Sequence, residues 1–223
     1  MNVECVIINV DGLLFTTHQL YKKITEDVSS NAHLSIPEDY FDSLLGAGYD
    51  LKEETMYRFP TMALKEPEIM DSFLHHLFSN GSSLVNAEVL TMINQLPERG
   101  FKVALTSDYP KSVFEHLLNL IDLDPRIEVK LHAHQVVHGK PFGNINYKAA
   151  SLTKTRPLHS IVIETTKNGV HAAHMAFMRS VFISGVLPQT ERIFKYSYRQ
   201  LSDISQLIPL LQNEQTLQAK TAS

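Results

Sequence analysis

The chain has 223 residues, a formal net charge of −4 and 43% hydrophobic residues, a composition that excludes disordered and collagen-like proteins. Its mildly acidic balance, without a cluster of lysine or arginine, argues against a nucleic-acid partner. No run reaches the roughly 20 apolar residues of a membrane helix, and the first residues lack the basic start of a signal peptide. The single cysteine, Cys5, can form neither an internal disulfide nor a cysteine-based zinc site, so we expect a cytoplasmic protein.

The first predicted element is a strand over residues 3–10, a nearly continuous apolar run that ends at Asp11 and is typical of a strand buried on both faces. Residues 17–84 show helical spacing interrupted by proline and glycine, which predicts several short helices. Further helices are predicted over 87–96, 111–120 and 169–177 and around 147–152, and further strands over 101–105, 127–131, 160–163 and 181–183. We expect the polar tail from Gln212 to be frayed.

Strands that alternate with helices predict an α/β fold with a parallel sheet, in which ligands bind at the carboxyl ends of the strands. Three predicted strands end in polar residues: Asn9 and Asp11; Thr106, Ser107 and Asp108; Glu164 and Thr165. Each group alone is typical of a turn or a helix N-cap. Their order and spacing within one α/β chain point to a common site.

These groups resemble, in chain order, four motifs of the haloacid dehalogenase-like hydrolases, in the branch of beta-phosphoglucomutase and phosphoglycolate phosphatase. Residues 8–14 (INVDGLL) are similar to the first motif, Asp-x-Asp-Gly after a strand, and residues 103–107 (VALTS) to the second. Residues 139–141 (GKP) match the third motif, and residues 162–173 (VIETTKNGVHAA) resemble the fourth. The resemblance implies a Rossmann-like core of residues 1–15 and 85–223, with a parallel sheet flanked by helices, and an inserted helical cap of residues 16–84.

Asn9 stands at the position of the family's nucleophile. In the family an aspartate there attacks phosphorus and becomes an aspartyl phosphate, whereas an amide oxygen is neutral and far less nucleophilic. The second aspartate, the family's general acid and base, is retained as Asp11. Because Asp11 then has no covalent intermediate to act on, we expect a protein that is catalytically inactive or severely impaired.

The resemblance also implies a Mg²⁺ site formed by Asn9, the Asp11 carbonyl, Glu164 and Thr165. Mg²⁺ prefers carboxylate oxygens, and two of the three anionic ligands of the family are neutral in this chain. We therefore expect Mg²⁺ binding to be weak or absent.

Phosphate-binding residues are implied at Thr106, Ser107, Asp108 and Lys140. Thr106 and the N–H groups of Ser107 and Asp108 are predicted to lie at a helix start, where the helix dipole and free donors favour an anion. Because two carboxylates are missing while Lys140 remains, the cleft is predicted to hold an anion without a metal. The expected ligand is a small phosphorylated molecule or inorganic phosphate.

In the cap, the candidate substrate-contacting residues are Tyr49, Lys52 and Arg58, since family caps close a loop near a glycine, here Gly46, over the site. The histidines at positions 132, 134, 138, 171 and 174 are interpreted as surface residues rather than zinc ligands, and Cys5 as a buried, inert thiol. Phe177 stands where the family helix ends in glycine, so we expect that helix to end without a left-handed residue.

The leading interpretation is therefore a non-catalytic relative of cap-bearing phosphatases that keeps a phosphate-binding cleft. A second is an active Mg²⁺-dependent phosphatase or phosphomutase, in which Asn9 was introduced or another residue attacks. A third is a non-catalytic protein-interaction module that dimerises through the cap or the polar tail. A dehalogenase also requires the nucleophilic aspartate, so Asn9 argues against this activity as well.

Overall fold

The computed structural model describes residues 3–184 and 191–219, with side chains described except at 49–51, 191, 192, 194 and 215–219. Its strands are β1 (Cys5–Asn9), β2 (Lys102–Ser107), β3 (Val129–His132), β4 (Ser160–Glu164), β5 (Arg179–Ile183) and β6 (Arg199–Leu201). Its α-helices are α1 (Thr17–Asn31), α2 (Tyr40–Leu44), α3 (Tyr49–Arg58), α4 (Pro60–Ala63), α5 (Glu66–Asn80), α6 (Ala87–Gln95), α7 (Lys111–Leu118), α8 (Asn144–Leu152), α9 (Lys167–Met175), α10 (Glu191–Tyr196) and α11 (Leu207–Ala219).

The described strands form one parallel sheet in the order β3-β2-β1-β4-β5-β6. The first strand is central, with Asn9 level with Thr106 of β2, and with Ile8 level with Ile163 of β4. From β1 the chain continues to β2 and β3 on one side of the sheet, and then to β4, β5 and β6 on the other side. This reversal of the strand order at β1 opens a crevice at the carboxyl ends of the central strands. The predicted α/β fold is confirmed, and the polar strand ends meet in this crevice.

Helices cover both faces of the sheet. The side chains of β1 alternate between the two faces, and most of them on each face are apolar. Cys5 and Ile7 pack with Ile145 and Ala149 of α8 and with Ala173 of α9. The opposite face joins a larger core, which includes Val6, Ile8, Val89, Ile93, Phe114, Leu117 and Leu207. Because both faces of β1 are buried, its sequence is a nearly continuous apolar run.

Helices α1 to α5 lie between β1 and β2 in the chain, where the cap was predicted. α1 packs against α5, and the rings of Tyr21 and Phe73 meet edge to face at 5.9 Å between centroids. The two chain segments that join these helices to the sheet pair with each other: Thr16 N–H donates to the Leu84 carbonyl at 2.9 Å, and Asn86 N–H donates to the Leu14 carbonyl at 2.8 Å. Both pairs lie at the predicted domain boundary. The division into a core and a cap stays a prediction.

Three local expectations were wrong. The helix α11 extends to Ala219 rather than fraying from Gln212. Phe177 does adopt a left-handed backbone, at φ +55°, and its side chain is 73% exposed; this conformation costs a non-glycine residue about 1–2 kcal/mol. Finally, β2 runs through Ser107 rather than ending at residue 105, whereas α7 begins at Lys111, as predicted. Among the described helices, none combines the length and apolar character needed to cross a membrane.

Candidate functional site

Asn9 lies at the centre of a buried polar cluster where β1 ends. Its Nδ2 donates to Oε2 of Glu164 and to Oδ2 of Asp108, both at 3.3 Å. Its Oδ1 accepts the backbone N–H of Asp11 at 3.3 Å. Asn9 and Glu164 are fully buried, so these bonds satisfy polar groups that would be costly to leave unpaired.

The Asp11 carboxylate is held by donors from the end of β2. The Ser107 hydroxyl donates to its two oxygens at 2.9 and 3.1 Å, and the Asp108 backbone N–H donates to Oδ2 at 2.6 Å. Burial, followed by the negative charge of Asp108, raises the pKa of Asp11 to about 7, and these hydrogen bonds and Lys140 only partly oppose the rise. Asp11 therefore exchanges a proton near neutral pH, as a general acid and base would.

Lys140 lies beneath the same cluster and is 2% exposed. Its Nζ is 3.0 Å from Oδ2 of Asp108 and 2.6 Å from Oε1 of Glu164. Burial alone would lower the Lys140 pKa, but the charges of these two carboxylates outweigh burial and raise the pKa. Glu164 fits here because Gly169 of α9 has no Cβ, which would overlap the carboxylate. The cluster therefore holds a fixed ammonium between two carboxylates.

The loop between α2 and α3 closes over this cluster. Gly48 N–H donates to the Lys140 carbonyl at 2.8 Å, and Asn168 Nδ2 donates to the Leu45 carbonyl at 3.2 Å. Gly46, at φ +67°, lies against Thr166 so closely that a Cβ would overlap its side chain. Between this loop and Asp11 remains a narrow cavity of about 40 Å³, bounded also by His18, Tyr21, Lys52, Glu66, Asp108 and Tyr109.

A match to a family model shows to which protein family this chain belongs. The family model described as "Haloacid dehalogenase-like hydrolase" matches residues 6–183, which includes the whole buried cluster. The chain belongs to the haloacid dehalogenase-like hydrolases.

Several curated proteins and solved structures are similar to most of this chain. Hexitol phosphatase B of Escherichia coli strain K12 is 23% identical over 213 residues, covering 92% of this chain and 94% of the relative. The phosphorylated carbohydrates phosphatase of Thermotoga maritima is 23% identical over 186 residues, covering 81% and 84%. Among solved structures, beta-phosphoglucomutase from Clostridium difficile has a TM-score of 0.75 at 16% identity, covering 97% and 99%. A hydrolase from Deinococcus radiodurans with bound phosphate and sodium has a TM-score of 0.72 at 16% identity, covering 95% and 96%.

The ligand set for Mg²⁺ implied by the resemblance does not fit this ion. The Asn9 amide directs N–H groups at Glu164, whose other oxygen pairs with Lys140. The Asp11 carbonyl accepts the Thr165 hydroxyl at 3.3 Å. The oxygens that Mg²⁺ would need are thus engaged by N–H, O–H and ammonium donors, whereas Mg²⁺ binds through free oxygens, usually those of one or two carboxylates together with water. Within residues 3–184 and 191–219, no group of three His, Cys, Asp or Glu side chains is arranged to hold a metal.

The predicted phosphate-binding residues are only partly brought together. Ser107, Asp108 and Lys140 lie around Asp11 and Asn9, but Thr106 points away and donates to the Ile8 carbonyl at 3.5 Å. Neighbouring residues of a strand face opposite sides, so only one of Thr106 and Ser107 could reach the cleft. The donors are also not at a helix start, because α7 begins at Lys111. The helix-dipole argument for anion binding was therefore wrong.

The three residues predicted to contact substrate, Tyr49, Lys52 and Arg58, do not lie together. Lys52 lines the cavity opposite Asp11, with its Nζ 5.8 Å from the centroid of the Tyr109 ring. Arg58 lies elsewhere: it pairs with Asp39 and lines a separate groove with Lys167. The Tyr49 side chain is outside the described residues.

Sequence reasoning missed two features of the cavity. The Asp108 side chain supplies a third carboxylate beside Asp11 and Glu164, so the cluster is not depleted of negative charge as expected. Across the cavity, the Glu66 carboxylate accepts the Tyr21 hydroxyl at 2.6 Å. Neither Asp108 nor Glu66 lies in a motif. Only the length of β2 could have indicated the position of Asp108, and only the packing of α1 on α5 that of Glu66. Cys5 is fully buried, as predicted, and His174 lies on the surface, as predicted.

His18 gives the folded protein a pH-dependent stability. The side chain is 4% exposed, and burial lowers its pKa to about 4, from an ordinary value near 6.5. At the His18 position the unfolded chain therefore binds more protons between these two pH values, and the contribution of His18 to stability falls as the pH drops through this window. We expect His18 to account for a loss of roughly 2 kcal/mol by about pH 5, relative to a variant without the imidazole. Urea denaturation of the unmodified protein and His18→Gln at several pH values measures it; parallel curves for the two proteins would contradict it.

Proposed function

We propose that this protein is a haloacid dehalogenase-like hydrolase that has lost turnover through a covalent aspartyl intermediate and keeps a cleft for a small phosphorylated molecule or inorganic phosphate. The observation that carries the proposal is Asn9. Its amide is neutral, its Oδ1 already accepts the Asp11 N–H, and its Nδ2 bridges Asp108 and Glu164. Such a group is a poor nucleophile and is fixed in place by three hydrogen bonds within the cluster.

The retained ligand class is supported by the donors beside Asn9 and by the relatives. The Ser107 hydroxyl and Asp108 N–H are hydrogen-bond donors that already bind a carboxylate, and Lys140 supplies a buried positive charge. Two of the relatives are named Hexitol phosphatase B and Phosphorylated carbohydrates phosphatase, and one structural neighbour holds phosphate. A cavity of about 40 Å³ is far below the range of small-molecule pockets, so a sugar-sized ligand requires the loop at Gly46 to move away.

The proposal predicts no enzymatic hydrolysis. With 4-nitrophenyl phosphate and Mg²⁺, the unmodified protein is expected to release nitrophenol no faster than Asp11→Asn, because the missing nucleophile already abolishes turnover. Turnover by the unmodified protein that Asp11→Asn removes would instead establish an active Mg²⁺-dependent phosphatase. The Asp11→Asn comparison also exposes a contaminating phosphatase, which would act equally in both preparations.

Calorimetric titration with inorganic phosphate tests the other half of the proposal. Measurable binding without Mg²⁺ is the expected result. If there is neither turnover nor binding, and the solution mass rises with protein concentration, the protein is an interaction module instead.

A further inference from the structure

We infer that the Asp11 side chain acts as an internal anion that occupies the anion-binding position of its own cleft. This inference rests on the proposed phosphate-binding function and adds a regulatory contact to it. The Ser107 hydroxyl and the Asp108 backbone N–H, here called the anion cradle, both donate to Asp11. An external oxyanion that uses the cradle must first displace this carboxylate.

The geometry of the cradle suits an oxyanion as well as a carboxylate. The Ser107 hydroxyl lies 2.9 and 3.1 Å from the two Asp11 oxygens, and the Asp108 N–H binds one of them at 2.6 Å. Hydrogen bonds to an ionised acceptor are short and roughly twice as strong as neutral ones. The Ser107 hydroxyl is oriented in turn by the Tyr109 N–H, which donates to its oxygen at 3.1 Å.

Asp11 can leave the cradle without disturbing the sheet. It follows the end of β1 and precedes Gly12, whose backbone adopts φ +73°. Its side chain also borders the cavity beneath the loop between α2 and α3. Lys140 does not anchor it, since that ammonium pairs with Asp108 and Glu164. The carboxylate is therefore held in the cradle chiefly by the donors that a bound anion would use.

The consequence is competition between Asp11 and an external anion. Because hydrogen bonds to charged groups are worth more than neutral ones, emptying the cradle should tighten anion binding by about tenfold or more. The tighter binding must depend on Ser107, because its hydroxyl becomes free only when Asp11 is gone. A general effect of removing one negative charge would not depend on Ser107.

A double-mutant cycle with inorganic sulfate, which keeps its charge across neutral pH, tests the inference at one fixed pH of about 8, where the Asp11 carboxylate is mostly ionised. Calorimetry on the full chain is expected to show that Asp11→Ala binds sulfate at least about tenfold more tightly than the unmodified protein. Adding Ser107→Ala should remove most of this gain. Adding Thr106→Val should not, because that neighbouring hydroxyl faces the Ile8 carbonyl instead of the cradle. Circular dichroism and thermal unfolding verify folding, and Asp11→Asn, with an intermediate gain, replaces Asp11→Ala if the latter does not fold.

The other outcomes separate this inference from the proposed function. If the unmodified protein binds sulfate as tightly as Asp11→Ala, or if the gain survives Ser107→Ala, the internal anion is overturned and the proposed cleft stands. If no variant binds sulfate or phosphate, even with the cradle emptied, both the internal anion and the phosphate-binding cleft are overturned.

Discussion

Replacing Lys140 with methionine is expected to destabilise the protein by about 3–5 kcal/mol, the usual effect of removing one partner from a buried ion pair. The Lys140 ammonium contacts the carboxylates of Asp108 and Glu164, and its side chain is 1% exposed. Without it, two buried carboxylates face each other with only the Asn9 amide between them. One of them must then take up a proton or remain as an uncompensated charge, and both alternatives cost folding free energy.

Urea denaturation at neutral pH measures this loss, and two comparisons identify its cause. The triple variant Lys140→Met/Asp108→Asn/Glu164→Gln removes the stranded charges and is expected to regain most of the stability. Lys111→Met removes an ammonium from an exposed pair with Glu115, 3.6 Å away and on the same helix face, and should cost less than about 0.5 kcal/mol. A loss below about 1 kcal/mol for Lys140→Met would show that the buried pair contributes little.

The central part of the fold could be predicted from the sequence because its signals are local. β1 and β4 are short apolar runs buried on both faces, and each is followed by polar residues. The last elements depend on distant contacts. β6 has only three residues, with none fully buried, and it pairs with β5. In α11, Leu211 is buried and Glu214 pairs with Arg179 at 2.8 Å, so tertiary contacts order a stretch whose local sequence indicates a polar tail.

The candidate site depended on a finer detail, the length of β2. The residue types at the strand ends were enough to place Asn9, Asp11 and Glu164 together, and the family resemblance added Lys140. They could not show that β2 continues through Ser107, so that Ser107 rather than Thr106 faces Asp11. A shift of one residue along a strand exchanges the face on which a side chain lies.

The charge of the cluster was likewise not visible in the motifs. Asp108 was considered for its backbone N–H, and the structure uses both that N–H and the carboxylate. The cluster therefore contains Asp11, Asp108 and Glu164 against Lys140. The motifs predicted a cleft poor in carboxylates, but the Asp108 side chain adds one directly after β2. Anion binding must therefore depend on the groups that Asp11 and Asp108 contact.

Restoring two carboxylates is expected to create Mg²⁺-dependent hydrolysis. Asn9→Asp with Thr165→Asp should hydrolyse 4-nitrophenyl phosphate about 100-fold or more faster than the unmodified protein, equivalent to roughly 3 kcal/mol of barrier. The carboxylate at position 9 supplies the nucleophile. The one at position 165 no longer donates to the Asp11 carbonyl, as the Thr165 hydroxyl does at 3.3 Å, so that oxygen becomes available to a cation.

The same variant should become dependent on Mg²⁺ for stability, because four carboxylates would then surround Asp11 with only Lys140 to offset them. Thermal unfolding is expected to shift upward with Mg²⁺ in the double variant and to remain unchanged in the unmodified protein. A ligand at about 100 times its dissociation constant stabilises by roughly 2.7 kcal/mol. Thr165→Val, which removes the same hydroxyl without adding charge, should show neither the shift nor hydrolysis.

Two further variants show which residues limit the restored site. Adding Asp11→Asn to the double variant should abolish hydrolysis, since the role that the family resemblance implies for Asp11 is to protonate the leaving oxygen and then activate water. Adding Asp108→Asn should increase hydrolysis, because the Asp108 carboxylate, 3.3 Å from Nδ2 of Asn9, would repel both the new nucleophile and the phosphate. The contrary outcome is that neither the double variant nor its Asp108→Asn form hydrolyses 4-nitrophenyl phosphate or changes its thermal unfolding with Mg²⁺. The missing carboxylates would then not be the cause of the inactivity. The restrictive element would then be the loop between α2 and α3, which leaves only about 40 Å³ above Asp11.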